Sequence, residues 1–101
     1  MPYIRMFQSA VDPSEIETMQ KLFNDDVRPV FDQAIGCEWI ELLISTEQNA
    51  GGLVDGCSFS KWDTLENLEA ALESRPVLEA LVRVRGLLRQ EPVTRTYRVL
   101  D

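Results

Sequence analysis

The chain has 101 residues, 45% hydrophobic and 27% charged, with 17 acidic side chains against 10 basic ones and a net charge of −7. Such a chain makes one domain over residues 1–101, with material for one core and little to spare. Its acidity speaks against nucleic acid and anionic membrane surfaces, both of which need a basic footprint.

No apolar run approaches the roughly 18 residues of a membrane span. The N-terminus lacks the basic-then-apolar pattern of a secretory leader, so the expected location is the cytoplasm. Histidine is absent altogether. This removes the commonest general base, the commonest metal ligand and the usual proximal haem ligand. Cys37 and Cys57 are the only cysteines. Two isolated thiols outside any CxxC make a poor metal site and read as buried free cysteines. Neither a metal nor a cofactor is expected.

In chain order, "YIRMFQSAV" (Tyr3–Val11) is rich in β-formers and reads as the first strand. Asp12 can cap a helix, Pro13 suits its first position, and Glu15 completes a capping box. Ile16, Met19, Phe23, Val27, Val30 and Ala34 then recur at helical spacing. Pro29 interrupts this pattern and predicts a kink or break near Asp25–Asp26. Gly36 is a plausible stop. "CEWIELLIS" (Cys37–Ser45) reads as the second strand and "LVDGCSFSKW" (Leu53–Trp62) as its hairpin partner. Asp63 and Glu66 suggest a second capping box, opening a helix that carries Leu65, Leu68 and Leu72. Pro76 breaks that helix, the helical stretch resumes to Glu91–Pro92, and "VTRTYRVL" (Val93–Leu100) is the last strand. The order β-α-β-β-α-β predicts an α+β, ferredoxin-like domain: a four-stranded antiparallel sheet with helices on one face.

A sheet with helices on one side and water on the other alternates apolar with polar residues. Here both sides are apolar. The second strand carries Cys37, Trp39 and Leu43 on one face and Ile40, Leu42 and Ile44 on the other; the first carries Tyr3, Phe7 and Val11 against Ile4 and Met6. The helices can cover one face only. Four strands present roughly 400 Å² in plan, comparable to the largest apolar patch of a typical monomer. The expected assembly is therefore a homodimer joined through the free sheet face.

"FSKWDTLENLEAALESRPVLEALVRVRGLLRQEPVTRTYRVL" resembles the C-terminal half of antibiotic biosynthesis monooxygenase domains, with Trp62, Ser74, Pro76 and Tyr97 matching the layout. "QAIGCEWIEL" (Gln33–Leu42) is similar to that family's turn into its second strand. The resemblance implies a dimeric α+β barrel. It also implies cofactor-free oxygenation of a small aromatic or apolar substrate of the quinol or phenol class, whose electron-rich anion itself reduces O₂. The haem-degrading branch uses an Asn, a Trp and a His at places that here hold Phe7, Ala71 and Leu81, so haem degradation is disfavoured and those three residues become candidate pocket walls.

Trp39, Phe59 and Trp62 are further pocket candidates, though core or interface packing is the stronger reading of the tryptophans. Glu41 and Asp55 are candidate bases if they face a closed cavity; otherwise they pair with Arg95 or Arg98. Tyr97 could donate a hydrogen bond to a substrate oxygen or be a plain sheet residue. Arg83, Arg85 and Arg89 suit a helix C-terminus. Pro2 could serve as a tautomerase-type amine base wherever Met1 is removed, although the rest of the chain fits the oxygenase layout better. The competing class is a non-enzymatic ligand-binding or stress-related dimer on the same scaffold, which fold alone does not separate from an enzyme.

Overall fold

The computed structural model describes residues 1–100. Strand β1 (Tyr3–Val11) runs into a short 3₁₀ turn, Pro13–Glu15, capped by Asp12, whose carboxylate accepts the Ser14 backbone N–H at 3.0 Å. Helix α1 (Ile16–Leu22) passes into a π-helical turn, Phe23–Val27, and then into α2 (Arg28–Asp32). The break falls where Pro29 predicts it. Proline cannot donate its backbone bond and crowds the carbonyl four residues earlier, and the wider turn absorbs both effects. Arg83 closes on Asp26 of this turn at 3.2 Å.

Gly36 makes the turn into β2 (Cys37–Gln48) at φ 87°. A Cβ there would run into the side chains of Asp63 and Asn67, so glycine is required twice over, by conformation and by space. β2 pairs with β3 (Val54–Trp62) in a long hairpin. Helix α3 (Leu65–Glu73) follows, capped by Thr64, whose hydroxyl accepts the Asn67 N–H at 3.1 Å. The expected cap at Asp63 is therefore displaced by one residue; Asp63 instead accepts the Asn67 side-chain amide at 2.9 Å. Ser74 separates α3 from α4 (Arg75–Arg85), with Pro76 in the first turn. Helix α4 stops at Arg85, short of the expected Glu91. The segment from Gly86 to Pro92 crosses back to the sheet, held by Arg89 N–H donating to the Ala10 carbonyl at 2.8 Å and by Ser9 Oγ donating to the Gln90 carbonyl at 2.7 Å. Strand β4 (Val93–Arg98) closes the domain.

The sheet order is β2-β3-β1-β4, all pairs antiparallel. This is the expected ferredoxin-like arrangement. Register assigns the faces. On the helix side lie Phe7, Ser9 and Val11 of β1, Ile40, Leu42 and Ile44 of β2, and Gly56, Ser58, Ser60 and Trp62 of β3. Cys37 departs from expectation. A register shift between Cys37 and Trp39 sets Cys37 opposite Trp62, and it packs against the core while Trp39 faces outward. A bulge adds one residue to a strand and reverses the alternation beyond it.

Trp62 is the centre of the core, with none of its surface exposed. Its ring meets Phe31 edge-on at 6.1 Å, and its Nε1–H donates to Ser60 Oγ at 2.9 Å. On the opposite face Trp39, Leu43, Val93 and Tyr97 keep 39–52% of their surface in the single chain. Ile4, Met6 and Phe59, also on that face, are half-buried.

Candidate functional site

A partly enclosed cavity of about 270 Å³ lies between the sheet and the helices. Its floor is a grid of side chains set by strand register. One row is Ile40, Ser60 and Arg5; the next is Leu42, Ser58, Phe7 and Thr94; a third is Ile44, Gly56 and Ser9. The roof is Met19, Phe23, Val27 and Phe31 from the first helical stretch, with Leu72, Leu81, Val84 and Leu88 from the second.

The space exists because of β3. Its three floor positions hold glycine and two serines, while the strands beside it carry Phe7, Leu42 and Ile44. The helices rest on the tall side chains to either side and cannot descend onto the low middle strand. A Cβ on Gly56 would already touch Ile44 Cδ1 at 3.3 Å. This alternating G-x-S-x-S is legible in "VDGCSFSKW" and is the sequence signal for the cavity that the strand assignment passed over.

The wall is mainly apolar, with a few polar groups. Arg5 Nη1 donates to Thr96 Oγ1 at 2.9 Å, and burial of the guanidinium lowers its pKa from the ordinary arginine value. Ser60 Oγ accepts from Trp62, and Ser9 Oγ is engaged with Gln90. Arg85 stands at the edge, beside the Gly86–Pro92 segment. Among the described residues no carboxylate lines the cavity. Among the described residues no three side chains of metal-ligating type converge.

Of the six pocket candidates, Phe7 and Leu81 line this cavity. Trp62 and Ala71 are packed in the core beside it. Trp39 and Phe59 stand on the other side of the sheet, because each sits one residue out of step with the floor positions of its strand. The three polar candidates share that displacement. Glu41 faces outward and meets Arg28 Nη2 at 3.9 Å, rather than Arg95 or Arg98. Asp55 accepts the Asn49 side-chain amide at 3.2 Å. Tyr97 lies on the outer face, half exposed. None of the three touches the cavity. Pro2 is not part of its wall; the Pro2 carbonyl accepts the Val99 N–H at 2.9 Å. The cysteines are half-buried rather than buried, with Cys37 on the core side and Cys57 in the outward register.

No family model matches the sequence, and no curated protein does. Solved structures do. Rv0793 from Mycobacterium tuberculosis superposes with a TM-score of 0.75 at 19% identity, covering 100% of this chain and 97% of that one. SnoaB, a cofactor-independent oxygenase from Streptomyces nogalater, superposes with a TM-score of 0.75 at 13% identity, covering 99% and 93%. The chain has the antibiotic biosynthesis monooxygenase fold. A candidate antibiotic biosynthesis monooxygenase from Deinococcus radiodurans gives a TM-score of 0.75 at 13% identity, covering 98% and 93%. Identities this low carry the fold alone. On this monooxygenase fold, the chemistry has to be argued from the cavity.

Proposed function

We propose that the chain binds a small aromatic molecule of the quinol or phenol class in this cavity and oxidises it with O₂ without a cofactor. The observation that carries the proposal is the cavity itself: about 270 Å³, walled by apolar side chains with a few polar groups, on the monooxygenase fold. That is the composition of a small-molecule site. The reaction balances without an external reductant. A phenol with a free ring C–H para to its oxygen plus one O₂ gives the quinone plus one water; the substrate supplies the electrons, one oxygen atom enters the ring and the other leaves as water.

The outer sheet face supports a homodimer, since Trp39, Leu43, Val93 and Tyr97 form an uncovered apolar surface in the single chain. Among the described residues no helix is long and apolar enough to cross a membrane, and the cytoplasm is the proposed location. A second reading, a non-enzymatic ligand-binding dimer, draws on one specific observation: among the described residues no carboxylate lines the cavity, and the chain has no histidine, so none of them offers the ligand an ordinary general base. The tautomerase alternative lacks geometric support, because Pro2 lies outside the cavity wall.

An oxygen electrode separates the two readings. With dihydroxynaphthalenes and alkylphenols as substrates, oxygenase activity appears as O₂ uptake above autoxidation, in proportion to protein and with quinone as product. Binding of the same compounds with uptake at the autoxidation rate rejects the enzymatic reading. Light scattering at micromolar protein tests the dimer, and a monomer rejects it.

A further inference from the structure

We infer that the cavity takes its aromatic ligand as an anion, with the charged oxygen held by Arg5. The inference rests on the reading of the cavity as a ligand site and names the ligand class for it. Acidic residues outnumber basic ones 17 to 10 in this chain, yet the charged side chains that line the cavity are both arginines, Arg5 and Arg85. Neither has a carboxylate partner among the described residues.

Arg28 shows what a purely structural arginine looks like in the same protein. Its Nη1 donates to the Ile40 carbonyl at 2.8 Å, Nη2 lies 3.9 Å from Glu41, and the guanidinium sits 4.9 Å from the centre of the Phe23 ring. Charge, donors and planar face are all matched. Arg5 has neither an acid nor an aromatic ring against its guanidinium among the described residues. It is half-buried on the helix side of β1, and its side-chain contact among the described residues is the neutral hydroxyl of Thr96. That bond fixes the guanidinium with one donor and leaves others of its five N–H groups open.

A cation with spare donors beside an apolar chamber is complementary to an aromatic ring bearing a carboxylate or phenolate. The carboxylate would arrive charged. A phenol would be pushed toward ionisation by the nearby positive charge, which is the state an electron-rich ring needs in order to reduce O₂. Arg5 would then make serviceable a cavity whose described residues include no general base, by stabilising the anion after its proton has left to solvent.

The test titrates the full-length protein with 2-naphthoate, its neutral isostere 2-naphthamide, and 2-naphthol, at one ionic strength, by calorimetry, absorbance and fluorescence. The expected result is that naphthoate binds roughly tenfold or more tightly than the amide, as fits a hydrogen-bonded charge pair. Arg5→Met removes that preference while amide affinity stays, and Arg5→Lys keeps part of it. Naphthol absorbing as naphtholate in the wild type and not in Arg5→Met points to a charge formed in the site; preference for naphthoate with naphthol bound neutral points to a ligand that arrives charged, and either outcome supports the inference. Equal binding of naphthoate and amide to the wild type overturns it and leaves the cavity as a neutral-ligand site. Absence of binding by all three overturns the inference and the ligand-site reading together. Should Arg5→Met fail to fold by circular dichroism, the wild-type comparison of acid with amide and the Arg5→Lys variant still decide.

Discussion

On the helix side of the sheet, Phe7, Ile40 and Leu42 are covered, and the space they leave above Gly56, Ser58 and Ser60 is partly enclosed by the helices. On the other side Trp39, Leu43, Val93 and Tyr97 remain 39–52% exposed. The two faces draw on the same classes of apolar residue, so hydrophobicity alone does not tell them apart. Side-chain height on the middle strand does. The helix face has a low central strand and therefore a hollow. The outer face carries Phe59 and Cys57 on that strand, beside Met6 and Leu43, and fills its own middle. One face is shaped to surround something small, the other to meet something broad.

The largest expected effect that separates core from hollow is Trp62→Ala. It removes a fully buried ring and the donor to Ser60, at a cost of about 3–5 kcal/mol out of a total of about 5–15 kcal/mol for a domain. Urea unfolding should show a severely lowered midpoint; a loss below about 1 kcal/mol would mean that Trp62 is not the core's centre.

Phe59→Arg tests the broad face. In a single chain the new charge sits opposite Glu41 on the neighbouring strand and is tolerated. Across a sheet-to-sheet contact it would be buried, weakening the dimer by roughly 3 kcal/mol or more, on the order of a hundredfold in Kd. Sedimentation should give monomer with urea stability near that of the wild-type protomer.

Ser58→Val tests the hollow. It raises the floor by one branched side chain where there is space, so stability should move by about 1 kcal/mol or less. Ligand affinity should fall at least roughly tenfold in the same naphthalene titrations, with the dimer unaffected.

The smallest effect compares the thiols of the two faces. Cys37 is pushed up to about 11, first by burial and then by Asp32, and Cys57 is raised by burial. A folded thiol that holds its proton more tightly than the unfolded one makes stability fall as pH rises from the ordinary thiol range toward the folded value. Urea midpoints should therefore decline between about 9 and about 11. Cys37→Ser should flatten most of that slope, and Cys57→Ser less of it.

Much of the architecture was legible in the residues. The order of elements, the break ahead of Pro29, the separation of α3 from α4 before Pro76, and the presence of two apolar sheet faces all follow from spacing and turn chemistry. What escaped was local competition. Thr64 and Asp63 are both good caps, and the contest went to Thr64 because Asp63 is occupied with Asn67 and Gly36. The bulge at the start of β2 has no composition of its own, so simple alternation sets Cys37 on the wrong face. The site was less legible. Glu41, Asp55 and Tyr97 drew attention as chemically able groups, but a strand sends alternate residues to opposite sides, and all three fall on the side away from the cavity. Arg5 carries no signal of its own in the sequence, since an arginine near a strand end reads as surface. Its meaning depends on which acids are near, and that is a property of the fold rather than of its neighbours in the chain.

The middle strand also has a consequence for how this protein could change over time. Its even-numbered positions from Gly56 to Ser60 set the depth of the cavity, and its odd-numbered positions shape the outer face through which the dimer is proposed to form. Adjacent codons thus govern unrelated traits. If both proposals hold, a lineage could retune its choice of small molecule through single replacements along one stretch of nine residues, Val54 to Trp62, without renegotiating the contact between copies.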